Sequence, residues 1–264
     1  MKSEQKSTLS PSFVLIMASQ RTGSTLFSSQ IENLGVGAPR EHAMPFIRRQ
    51  ERLNNADLDK VFKRAKGKSE AGDTYALKAM LNYTPKLVRA DFPELKGMTP
   101  TQSRAEHAAV IELFIQMLEK RFRTVPVFLL TRDNILEVAS SRALAQLSQR
   151  RHTKEASDNV SAYDHIPEDR IIDQIISHLP RAFREKQIMH LLKERLGSRI
   201  CFVQYEQLVS APQDVENRCK RYLADFGFEI GESSFQKNGL KKVVPQNFKD
   251  QYISRVRNDI LHKL

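Results

Sequence analysis

Residues 13–25 read FVLIMASQRTGST. Six apolar or small residues, Phe13 to Ala18, predict a strand buried on both faces. They run straight into Ser19-Gln20-Arg21-Thr22-Gly23-Ser24-Thr25, after which Leu26, Ile31 and Leu34 recur at helical spacing. A buried strand, a tight small-residue turn and a helix start form a device for holding phosphate. Successive backbone N–H groups make an anion-binding nest, and the helix dipole adds positive potential. Gly23 lets the backbone approach an anion closely. Ser24 and Thr25 offer hydroxyls, and Arg21 offers a charged fork. An ordinary βα turn with a helix N-cap has the same pattern, so the turn alone leaves both readings open. It is not a Walker A loop, which needs Lys before the final Ser or Thr; Gly23 stands there instead. The turn suits a phosphate-like group without the Lys and Mg²⁺ arrangement of an ATP-cleaving site.

Working outward, further short apolar runs at 74–80, 125–131 and 199–204 predict three more strands. Helical patterns fall at 24–34, 57–67, 103–123, 134–150, 168–196 and 212–226, and again at 251–261. Strands alternating with helices indicate a central, mostly parallel sheet covered by helices, a three-layer α/β/α fold. Ligands of such sheets gather at the carboxyl ends of the strands. With 264 residues the chain suits one domain with an ample core. Within it, 1–12 is expected to be a flexible N-terminus, the polar stretch 151–167 a mobile lid, and 236–264 a basic C-terminal segment.

Lys and Arg number 42 against 31 Asp and Glu, a net charge of +11 that favours anionic partners. Two cysteines, Cys201 and Cys219, form no disulfide framework or metal-type spacing. The histidines are scattered without ligand spacing, so no metal site is expected. The polar start MKSEQKSTLSPS does not resemble a signal peptide, and no segment reaches the length of a membrane span. These features favour a cytoplasmic enzyme, and a homodimer is compatible with them.

A second constellation follows the third strand. Arg132 leaves its carboxyl end, on the same sheet edge as the first loop, and Ser140 lies eight residues later on the next helix. Asp133 or Asn134 is the expected helix cap. An Arg at a strand tip and a Ser down the following helix can hold a second phosphate from two directions, although a surface ion pair and a helix-packing Ser would look alike.

Together the two constellations resemble the sulfotransferases that use 3′-phosphoadenosine 5′-phosphosulfate (PAPS). ASQRTGSTLF at 18–27 is similar to the ASQRSGSTLL loop of the bacterial trehalose 2-sulfotransferase type. Gly35-Val36…Pro39-Arg40-Glu41 is similar to that family's GV-x-G-x-P-x-E stretch, one residue shorter. Leu77-Lys78-Ala79-Met80 resembles its second strand loosely, and TRDNILEVASSRALAQ at 131–146 resembles its Arg…Ser segment. The resemblance covers about the first 45 residues, the strand near 77 and residues 126–149, and fades from 150 onward. It departs at His42-Ala43, where the family has Phe, and at Ser141, where the family has Trp before Arg-Ala. The chain has no Trp, so a different acceptor pocket is expected.

The resemblance implies a P-loop-NTPase-like sulfotransferase fold and sulfuryl transfer from PAPS to a hydroxyl of a small-molecule, glycan or glycolipid acceptor. Ser19, Gln20, Arg21, Thr22, Gly23, Ser24 and Thr25 would hold the 5′-phosphosulfate, and Arg132 with Ser140 the 3′-phosphate. Arg21 would stabilise developing charge, and Glu41 would be the general base, with His42 as a rival from the same turn. Lys78 would reach the transferring group or simply be ion-paired. The leaving group is already a stable phosphate anion, so no metal is expected. Two other readings stand beside this one. A basic nucleic-acid-binding protein is disfavoured by the lack of recognition motifs, and a P-loop kinase or NTPase by the missing Lys.

Overall fold

The computed structural model describes residues 11–49, 53–66, 74–91, 103–148, 163, 165–232, 234–235 and 246–261. Most of the expected lid at 151–167, the N-terminus before residue 11 and the first part of the basic C-terminal segment lie outside the described residues.

The strands are β1 (Ser12–Ala18), β2 (Thr74–Met80), β3 (Val127–Thr131) and β4 (Ile200–Gln204), and every pairing among them is parallel. Every residue from Phe13 to Ala18 is fully buried. Successive strand residues point to opposite faces, so β1 is covered on both sides and the sheet is the middle of three layers. The helices are α1 (Ser24–Asn33), α2 (Met44–Arg49), α3 (Asn55–Ala65), α4 (Thr84–Asp91), α5 (Arg104–Arg121), α6 (Ile135–Leu147), α7 (Glu168–Leu196), α8 (Tyr205–Ser210), α9 (Pro212–Asp225) and α10 (Gln246–Leu261).

The strand order is β2-β1-β3-β4. The chain therefore leaves β1 to one side for β2 and returns on the other side for β3. That reversal opens a crevice at the carboxyl ends of β1 and β3, the usual ligand position in an open α/β sheet. The turn at 19–23 follows β1 and Arg132 follows β3, so the fold brings the two candidate phosphate clamps to the two sides of one crevice.

At the opposite end of the sheet, Phe13 packs against Phe62 and Phe122, and Phe122 against Tyr75, with ring centroids 4.6–5.8 Å apart. This aromatic cluster anchors β1 where the strand begins, remote from the crevice. Cys201 and Cys219 are buried free thiols. Among the described residues no helix is long and apolar enough to cross a membrane.

Candidate active site

The turn after β1 is left-handed at Arg21 (φ +67°) and at Gly23 (φ +80°). A non-glycine residue at positive φ is uncommon and persists only where its surroundings enforce it. Here the enforcement is visible. From inside the turn, the Thr22 hydroxyl donates to the Ser19 carbonyl at 2.7 Å. From α6, Ser141 Oγ accepts from Arg21 Nε at 3.0 Å, and Arg142 donates to the Gln20 carbonyl at 3.1 Å. Thr22 is thus engaged in shaping the loop. Gly23 is the N-cap of α1, which has no side-chain cap and no acidic residue in its first turn. Its leading N–H groups are left to attract an anion, with the helix dipole behind them.

Burial comes first among the influences that lower the Arg21 pKa; Tyr163 opposes it, and the nearby charges of Arg142 and Arg132 add to it. Three guanidinium groups therefore share one neighbourhood, an arrangement that like-charge repulsion disfavours unless acids or an anion offset it.

Glu41 reaches the same region through the edge of the sheet. Arg40 forms a parallel bridge to Leu77, and its carbonyl accepts from the Lys78 N–H at 3.0 Å. The next residue, Glu41, places Oε1 3.4 Å from Lys78 Nζ. Lys78 Nζ in turn lies 3.4 Å from Thr25 Oγ1 in the first turn of α1. Thr25, Lys78 and Glu41 form a continuous polar line running out from the loop. Burial lowers the Lys78 pKa, while Glu41 acts to raise it. His42 is half-buried, and its Nε2 lies 3.3 Å from the Ala38 carbonyl, an acceptor, so this nitrogen is the donor. Burial lowers the His42 pKa as well, which leaves a neutral ring at pH 7.

Arg132 sits at the end of β3 with its guanidinium over the Tyr205 ring, 4.4 Å from the centroid. It pairs with buried Glu137 at 3.1 Å. Glu137 also accepts from Gln246 and lies 3.9 Å from Lys249, both on α10. Asn134 is the cap of α6, its side chain accepting from the Glu137 N–H at 3.2 Å. Ser140 is wholly buried. Arg132 Nε and Ser140 Oγ have no hydrogen-bond partner among the described residues. A buried donor left unmet is costly, and two of them on the residues expected to hold one phosphate fit such a ligand.

Sequence reasoning missed the residues that join the clamps. Tyr205 opens α8, and its ring lies so close to Gly23 that any Cβ there would collide with it. One ring therefore meets both the first loop and Arg132. Glu206 accepts from the Asp133 and Asn134 N–H groups at 3.1–3.2 Å and holds the β3–α6 turn. The QYEQ stretch has no periodicity to advertise it, being too short to read as a helix. Ser141 stood out in the sequence only as a missing aromatic; in the fold it is a hydrogen-bond acceptor for Arg21.

The fold and site define an α/β protein with cationic groups and free helix N–H groups at a topological switch point. No protein-family model matches the chain, and no curated protein does. Among solved structures, the sulfotransferase domain from the Synechococcus PCC 7002 olefin synthase is similar to it. That alignment has 16% identity, covers 97% of this chain and 91% of that one, and has a TM-score of 0.42.

Proposed function

We propose that the protein is a sulfotransferase that binds PAPS across the two clamps and transfers its sulfuryl group to an acceptor hydroxyl. The observation that carries the reading is the pair of anion-seeking groups at one crevice. The uncapped α1 turn with Arg21 stands on one side, and Arg132 with the unpartnered Ser140 hydroxyl on the other. The motif at 18–27 supports it independently. Bound PAPS supplies a sulfuryl group on a good leaving group, so the protein's work is positioning and charge stabilisation.

In this reading the N–H groups of Gly23, Ser24 and Thr25, together with Arg21, take the 5′-phosphate side of the donor. Ser19 and Gln20 shape the approach to the loop. Arg132 and Ser140 take the 3′-phosphate. Glu41 accepts the proton of the attacking hydroxyl, and Lys78 holds its carboxylate toward Thr25. The acceptor is a hydroxylated small molecule, glycan or glycolipid.

Thermal shift separates this from the rival readings. A ligand that binds only the folded state raises stability by mass action, about 2.7 kcal/mol at a hundredfold excess over Kd. Adenosine 3′,5′-bisphosphate, the product of the donor, is expected to raise the melting temperature in the presence of a chelator. ATP with Mg²⁺ and a short RNA are expected to raise it less. An unmoved melting temperature at millimolar bisphosphate, with a shift for ATP–Mg²⁺ or RNA, would overturn the assignment.

A further inference from the structure

The arginine after Ser141 is the least expected part of this site. Arg142 is 5% exposed. One terminal nitrogen donates both to the Gln20 carbonyl, across 122 positions of sequence, and to Glu185 on α7. Glu185 is itself buried and also accepts from Arg181 Nε at 2.9 Å. A chain of contacts thus runs from α7 through α6 to the backbone of the loop. The remaining nitrogens of Arg142, Nε and the other terminal one, are buried without a partner among the described residues.

No described peptide bond is cis. In a trans peptide the carbonyl and the following N–H lie in one plane and point in opposite directions. Holding the Gln20 carbonyl toward Arg142 therefore turns the Arg21 N–H away from α6. The peptide so held is the one that enters the left-handed residue Arg21, a conformation that persists only where its surroundings hold it. We infer that Arg142, oriented by Glu185, is a positioning residue that keeps the Gln20–Arg21 peptide in its anion-binding orientation. The inference rests on the proposal that this loop takes the 5′-phosphate.

The test compares two probes by calorimetric titration: adenosine 3′,5′-bisphosphate and adenosine 3′-phosphate, which lacks the group the loop would hold. Removing Arg142 alone leaves Glu185 buried without its main partner, which is strongly destabilising. Replacing both members of a buried pair with apolar residues of similar volume is often tolerated. The double variant Arg142→Met/Glu185→Met is therefore the one to titrate first, its fold checked by circular dichroism. Its affinity for the bisphosphate is expected to fall about tenfold or more, the scale of a lost charge-assisted hydrogen bond. Its affinity for adenosine 3′-phosphate is expected to be unchanged. Glu185→Gln, which keeps the shape and weakens the hold on Arg142 together with the pairing to Arg181, is expected to show the same selectivity with a smaller loss, and it decides the matter if the double variant does not fold. Wild-type affinity in these variants, or equal losses for both probes, overturns the positioning role and leaves the loop assignment standing. Failure of the wild-type protein to bind the bisphosphate overturns both.

Discussion

Glu41→Gln is expected to lower turnover by about two to four orders of magnitude, the range of general acid–base catalysis, with donor affinity unchanged. Glu41 touches the site at one point, its Oε1 lying 3.4 Å from Lys78 Nζ. Gln keeps an acceptor oxygen there, so buried Lys78 retains a partner and the line to Thr25 survives. The capacity to accept a proton is lost, along with the charge that faces Lys78. Binding and chemistry should therefore separate: titration with adenosine 3′,5′-bisphosphate gives the wild-type Kd, while single-turnover transfer to a hydroxylated acceptor is slow. His42→Gln is the companion variant. The His42 Nε2 hydrogen is directed at the Ala38 carbonyl, so the ring has only Nδ1 to offer, and a small effect is expected. A fully active Glu41→Gln protein alongside a crippled His42→Gln protein would transfer the role to the histidine.

Gly23→Ala is expected to abolish donor binding and to destabilise the fold. A left-handed alanine costs about 1–2 kcal/mol, and the added Cβ collides with the Tyr205 ring, an overpacking of about 1–3 kcal/mol. A ring displaced by that carbon also shifts against Arg132, whose guanidinium lies over it at 4.4 Å. One methyl group thus disturbs both clamps. Gly35→Ala is the matched control: φ there is +77°, yet nothing lies within 4 Å of the added carbon. It should show the strain alone, a modest fall in melting temperature with donor affinity intact. Equal binding losses in both variants would mean that Tyr205 does not link the sites.

The strands were legible because each is apolar and short, and burial on both faces demands that composition. The expected 13–18, 74–80, 125–131 and 199–204 differ from the observed strands by at most two residues at either end. The long helices were legible from their periodicity. Three short helices, α2, α4 and α8, were not. Each is six to eight residues long, too little chain for a 3.6-residue period to declare itself, and their form is imposed by packing. The same limit applies in the site. Arg21, Gly23 and Arg132 stand in local motifs and could be read directly. Tyr205, Arg142 and Glu185 act through contacts between residues far apart in sequence, and no local pattern encodes a partner on another element. The strand order added what no motif could: it brings the ends of β1 and β3 together at the switch point.

The proposed function depends above all on two clamps holding one ligand by its two phosphates. The decisive measurement is calorimetric titration of the wild-type protein, Arg132→Ala and Ser140→Ala with adenosine 3′,5′-bisphosphate and with adenosine 5′-phosphate, all in chelator. The wild-type protein should prefer the bisphosphate. Arg132→Ala should erase that preference, and Ser140→Ala should reduce it by less, because a guanidinium bond to phosphate is the stronger of the two contacts. Neither variant should weaken binding of the 5′-phosphate. Equal affinity of the wild-type protein for both nucleotides, or equal losses for both in Arg132→Ala, would refute the two-clamp reading and make Arg132 and Ser140 parts of the scaffold.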